Sequence, residues 1–157
     1  MIHCCQDRTS RFLRLGAVLV LCVAGFFGRL SYAEGADDPR GAAVAAMQTW
    51  LHGIDEGDYP GSWNTAAGSF QKAVSSDQWT GALNSVRKPL GKCVERKLAS
   101  SLHQTEAPGP DGPQKGDYVV AQFNTAFENL AYAVETVCFE RGSDGVWKAS
   151  GYYIKPK

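Results

Sequence analysis

Clustered positive charge is missing from this chain. Its 157 residues carry 16 Lys and Arg against 16 Asp and Glu, and no stretch gathers the basic ones together. Nucleic-acid binding depends on grouped Lys and Arg that neutralise phosphates, so the composition argues against it. It argues equally against electrostatic docking on anionic lipid. Histidine is scarce, with three in the whole chain, and no H-x-x-x-H, H-x-x-E-H or Cys–His spacing occurs, so no metal site is expected. Neither a G-x-S-x-G elbow nor a phosphate-cradling loop is present, which leaves no recognisable nucleophile and no cofactor to expect. Long apolar runs are also absent. The longest, Leu15 to Gly28, has 14 residues, short of the roughly 20 that a membrane-spanning helix needs. There is no internal repeat and no low-complexity tract.

The apolar run has a different explanation. Arg8, Arg11 and Arg14 precede it, and Ser31-Tyr32-Ala33 follows with small residues at the −3 and −1 positions. This is the layout of a secretory signal peptide over residues 1–33, cleaved after Ala33, with Glu34 as the new N-terminus and a periplasmic or secreted product. A retained anchor is disfavoured by the length of the run. A lipoprotein is disfavoured by the bulky Leu21 before Cys22. Processing removes four basic residues (Arg8, Arg11, Arg14, Arg29) and one acidic residue (Asp7), leaving 12 basic and 15 acidic residues and a net charge of −3. The 124 residues from 34 to 157 form one domain, with no membrane span, that buries roughly two-thirds of its unfolded surface.

Three helices come first. Asp38-Pro39 combines a capping carboxylate with a proline suited to the first helical position. Ala43, Met47, Trp50, Leu51 and Ile54 then follow at helical spacing, and Gly57 ends the helix. A second helix is predicted from Tyr59-Pro60, with Trp63, Ala66, Ala67 and Phe70 on its apolar face. A third starts at the S-x-x-Q capping box of Ser75 and Gln78. Its predicted buried stripe is Trp79, Leu83, Val86 and Leu90, closed by Pro89 and Gly91.

The period then changes to two. Strands are predicted over residues 92–106, 118–128, 131–141 and 146–155. Val119, Ala121, Phe123, Thr125 and Phe127 give the clearest alternation. Three prolines and three glycines mark residues 107–116 as a loop, and Asp144-Gly145 marks a tight turn. Helices followed by strands mean an α+β fold: three N-terminal helices packed on a curved four-stranded antiparallel sheet.

Several short motifs recur in order along this scaffold. Gly57-Asp58-Tyr59, Ser62-Trp63, Gln78-Trp79, Arg87-x-Pro89-Leu90-Gly91 and Arg96-Lys97-Leu98 lie in the first half. Pro110-Asp111-Gly112, Tyr118-Val119-Val120, Phe123-x-Thr125-x-Phe127, Glu135-Thr136-Val137, Asp144-Gly145-x-Trp147 and Gly151-Tyr152-Tyr153 lie in the second. The ordered series, which covers nearly the whole mature chain, resembles the bacterial DUF4019 family of exported domains. That resemblance implies an envelope or periplasmic protein and brings no catalytic residues with it. The element order is also similar to the cystatin/NTF2-like architecture, which hosts enzymes, binders and dimerisation modules alike.

Glu135 is the residue most open to a chemical role. It shares its strand parity with Ala133, Val137 and Phe139, so it faces the core if they do. A buried carboxylate must pair or stay protonated, and Arg87 and Arg96 are the candidate partners. One reading is a structural ion pair between helix and sheet, or a solvated strand face. The other is a pocket-floor acid for a polar ligand. The aromatic residues, Trp79 and Tyr152 among them, read first as core packing, with an aromatic-lined pocket between helices and sheet as the alternative. Cys93 and Cys138 remain after processing. An oxidising compartment favours a disulfide, whereas a simple meander separates their strands by a third, about 9.6 Å, beyond disulfide reach. Bonded and free thiols both stay open.

For function, the leading expectation is a non-catalytic module that binds a small apolar or amphipathic ligand or an envelope protein. The alternatives are a small acid–base enzyme using Glu135, with Arg96 or Tyr152 as helper, and a structural homodimerisation domain using the open sheet face.

Overall fold

The computed structural model describes residues 38–107 and 114–157. The expected signal peptide, and part of the expected proline-rich loop, lie outside the described residues. Helix α1 (Pro39–Asp55) is capped by the Asp38 carboxylate, which accepts from the Arg40 N–H at 3.0 Å. All five residues of its expected apolar face are buried. Gly57 turns the chain at φ 82°. Asp58 then caps α2 (Tyr59–Asn64) by accepting from the Gly61 N–H at 2.9 Å.

The second predicted helix is two helices, so the described residues hold four α-helices rather than three. The chain breaks after Asn64 and resumes as α3 (Gly68–Ala73). At the break Ala67 is extended, and its N–H donates to the Ala149 carbonyl on the last strand at 2.8 Å. A hydrogen bond to the sheet replaces the one that would have continued the helix. The capping box of Ser75 and Gln78 opens α4 (Ser76–Val86). Its buried residues are Trp79 and Leu83, while Val86 is exposed. Arg87 is still helical, donating its N–H to the Leu83 carbonyl at 2.9 Å, and at i+4 from Leu83 it continues the Trp79–Leu83 stripe, so Arg87 occupies the interior that Val86 was expected to fill.

Four strands follow: β1 (Cys93–Ala107), β2 (Gln114–Phe127), β3 (Leu130–Arg141) and β4 (Trp147–Pro156). They form one antiparallel sheet in the order β1-β2-β3-β4. The register aligns rows of side chains on one face: Val119, Phe139 and Ala149; Ala121, Val137 and Tyr152; Phe123, Glu135 and Ile154. The helices pack on these rows, and Met47, Leu51, Ile54, Phe123, Val119 and Val137 lie at the centre of the core. β1 is an outer strand whose pairing with β2 is interrupted by three register shifts. Among the described residues no helix is long and apolar enough to cross a membrane.

Gly91 joins the helical half to the sheet at φ 77° and ψ −159°, a region essentially restricted to glycine. A Cβ there would lie 2.7 Å from Glu128 Oε2. Gly91→Ala is therefore expected to destabilise the fold by about 1–3 kcal/mol, read as a lower urea midpoint with an unchanged m-value.

Candidate functional site

The Glu135 carboxylate lies on the helix-covered face of β3, with no exposed surface. Burial of an ion demands partners, and each neighbouring strand supplies one. Arg96 of β1 reaches across β2 with Nε 2.6 Å from Oε2 and Nη2 3.2 Å from Oε1. Thr125 of β2 donates its hydroxyl to Oε2 at 2.5 Å. Tyr152 of β4 donates its phenol to Oε1. Each carboxylate oxygen thus accepts two hydrogen bonds, from three side chains on three different strands.

The helices complete the cluster. Asp55, the last residue of α1, accepts from Arg96 Nη1 at 2.7 Å and Nη2 at 3.0 Å. Arg87, the C-cap of α4, donates from Nη2 to Asp55 at 2.9 Å and from Nη1 to the Gly91 carbonyl at 2.6 Å. Its guanidinium carbon lies 4.4 Å from the centroid of the Phe127 ring, while its buried Nε has no acceptor among the described residues. Two arginines and two carboxylates alternate along the chain Arg87–Asp55–Arg96–Glu135, so the formal charges cancel.

The titration behaviour follows this arrangement. Burial acts to raise the Asp55 pKa, but the hydrogen bonds from Arg96 and Arg87 outweigh it and hold the carboxyl below its ordinary value. Burial acts to lower that of Arg96, and Asp55 and Glu135 outweigh it, keeping the guanidinium charged. Desolvation, with the Glu135 charge behind it, pushes the Tyr152 phenol well above its ordinary value, so it remains a donor.

Of the candidates singled out in the sequence, Glu135, Arg87, Arg96 and Tyr152 are joined in this one cluster. Trp79 stands behind it: its ring meets Tyr152 edge-on at 6.2 Å, and its indole N–H is spent on Ser62 Oγ at 3.0 Å. Trp50 stacks on Trp79 at 6.0 Å, so these rings form core packing. Cys93 and Cys138 are both free thiols in this structure. Cys93 pairs with Phe127 at one end of β1, whereas Cys138 pairs with Val120, itself opposite Leu102. Nine residues of strand, roughly 30 Å at the usual rise, separate those levels. Burial raises both thiol pKa values, which keeps them protonated and weakly nucleophilic.

Sequence reasoning missed Asp55 and Thr125. A carboxylate on the last residue of a helix opposes the helix dipole, and that misplacement was the available sign that Asp55 had a cationic partner. Thr125 was the one hydroxyl in an otherwise apolar alternation.

Open space lies elsewhere. A cleft of about 800 Å³ runs between α1, α2 and the start of β4, with Trp50, Phe139, Trp147 and Ala149 along its floor and Asn64 and Gln71 among its polar lining residues. A second, of about 420 Å³, touches the ion cluster only through Asp55 and Arg87. A third, of about 400 Å³, includes Cys138 and Tyr153. Glu135 borders none of these three. Among the described residues there is no group of three or more His, Cys, Asp or Glu side chains able to hold a metal ion.

Arg96→Met leaves the buried Glu135 carboxyl without its main partner, and is expected to cost about 3–5 kcal/mol. In urea titrations Arg96→Met/Glu135→Leu should lose at least ~1 kcal/mol less than the sum of the single losses, because the pair acts as a unit. The pH dependence has a definite sign. A folded-state carboxyl pKa below the unfolded one adds stability that is fully present above the unfolded value, near 3.8, and is lost as pH falls through the folded value. The urea midpoint should therefore drop below about pH 4, and Asp55→Asn should flatten that drop while lowering the midpoint at pH 7.

No curated protein matches this chain. A solved structure from Catenulispora Acidiphila is similar at 17% identity and a TM-score of 0.38, covering 74% of this chain and 90% of that one. The family model described as a protein of unknown function, DUF4019, matches residues 46–152, more than half of the sequence and including the whole cluster from Asp55 to Tyr152, and the chain belongs to that family.

Proposed function

We propose that this domain is an exported, non-catalytic module that binds a small amphipathic ligand in the cleft between α1, α2 and β4. The Glu135 cluster, on this reading, is the tie that holds the cleft's walls in place. The observation that carries the proposal is the cleft itself. About 800 Å³ falls within the range of small-molecule sites, as does an apolar aromatic floor with a few polar groups around it. Export rests on the Arg-rich start, the 14-residue apolar run and the Ser31-Tyr32-Ala33 site.

The acid–base alternative fares worse. A general base needs a lone pair within reach of substrate, and both Glu135 oxygens are occupied by Arg96, Thr125 and Tyr152.

Gly53 offers a clean test. It lines the cleft on α1, and a Cβ added there meets nothing within 4 Å. Gly53→Leu fills space in the cleft while improving helix propensity by up to about 1 kcal/mol, so binding is lost without loss of fold. With the mature chain and the dye 8-anilinonaphthalene-1-sulfonate as probe, the blue-shifted emission expected of the parent protein should fall several-fold in Gly53→Leu. Equal emission from the two proteins would place the dye outside the cleft and end the reading.

A further inference from the structure

Resting on the cleft reading above, we infer that the ligand is a neutral saccharide, held by the indole of Trp147 and a ring of spare hydrogen-bond acceptors.

Charge is the first discriminator. Among the described residues, the ionisable side chains lining the cleft are Asp58 and Lys148, of opposite sign, and each already has a partner. Asp58 caps α2 through the Gly61 N–H at 2.9 Å, and Lys148 pairs with Asp144 at 2.9 Å. One anion and one cation, each with a partner, give the cleft no net charge with which to select an ionic ligand.

The remaining hydrogen-bonding capacity is unevenly divided. Thr49 donates its hydroxyl to Ala45 O and Thr65 donates to Gly61 O, so each retains only lone pairs to offer. Gln71 spends its amide N–H groups on the Trp63 and Asn64 carbonyls, leaving Oε1 free to accept. The Asn64 side chain is uncommitted among the described residues. With the Asn64 amide adding two donors beside these acceptors, the rim suits a ligand whose hydroxyl groups both donate and accept.

Trp147 supplies the complementary donor. The indoles of Trp50, Trp63 and Trp79 donate to Ser62 O, Val74 O and Ser62 Oγ. Trp147 is 9% exposed and lines the cleft, yet its N–H has no acceptor among the described residues and is not sealed from solvent. A buried indole normally finds a partner. A ligand oxygen at the cleft floor provides one, while the apolar C–H face of a sugar ring covers the surrounding aromatic carbon. An alkyl chain would satisfy neither the N–H nor the acceptors.

The test uses the mature chain labelled with 15N, titrated with cellobiose and with N,N′-diacetylchitobiose while the four indole N–H resonances are followed. The signal that disappears in Trp147→Phe identifies that indole. The expected result is a saturable shift of the Trp147 signal with at least one saccharide, little movement of Trp63, and no shift in Gly53→Leu. By intrinsic fluorescence Trp147→Phe should bind about tenfold more weakly, the upper range for one lost hydrogen bond. If neither saccharide moves the Trp147 signal while the anilinonaphthalene dye still binds in a Gly53-dependent way, the saccharide assignment falls and the cleft stands. If the dye also fails, both fall.

Discussion

A single buried ion pair organises this domain. Glu135 and Arg96 sit on strands separated by β2, and the guanidinium crosses that strand to grip both oxygens of the carboxylate. Thr125 and Tyr152 add donors from β2 and β4, so all four strands meet at one anion. Arg96 also holds Asp55, and through it Arg87, which ties the C-terminal ends of α1 and α4 to the same point. Burying ions in this way is a poor source of net stability compared with apolar packing of the same volume. Its effect is directional: the geometry is satisfied in one register of the strands and one placement of the two helix ends. A slip of one residue in any strand turns that strand's contribution to the opposite face.

The same geometry separates scaffold from binding space. The ion cluster and the rings of Trp50, Trp79 and Tyr152 fill the layer between helices and sheet, with centroid spacings of about 6 Å. Space survives where the helical layer is thin, beside the break between α2 and α3. Ala67 is pinned to Ala149 there, and glycines at 53, 61 and 68 line the walls. Helix interruption and cleft are thus two aspects of one local arrangement.

Most of the framework was legible in the residue pattern. Capping residues and apolar spacing placed α1 and α4, and alternation placed four strands to within a few residues. Parity made Glu135 a candidate for the core face with Arg96 and Arg87 as candidate partners; Arg96 binds it, while Arg87 binds Asp55 instead. What escaped had tertiary causes. The break at Ala67 depends on a carbonyl some 80 residues away in sequence, which no local propensity reports. Val86 lost its place in the stripe because the i+4 row from Trp79 through Leu83 leads to Arg87, which its tertiary partner Asp55 draws inside. The cleft is made of what side chains leave empty, and glycine and alanine spacing does not by itself reveal it. The cysteines were undecided because strand order limits their distance while register sets it.

The outer strand β1 carries a further consequence. Fifteen residues long and mostly exposed, with one margin unpaired, it is the kind of open backbone that recruits other chains into cross-strand aggregates. Its three register shifts, after Cys93, Leu98 and Gln104, interrupt the even ladder that an incoming strand would copy, and Glu95 and Lys97 put charge on the segment between the first two. Until its strands have paired, the folding chain has such a segment uncovered. Irregularity along β1 is then a safeguard during assembly, and it acts before the finished domain meets any ligand.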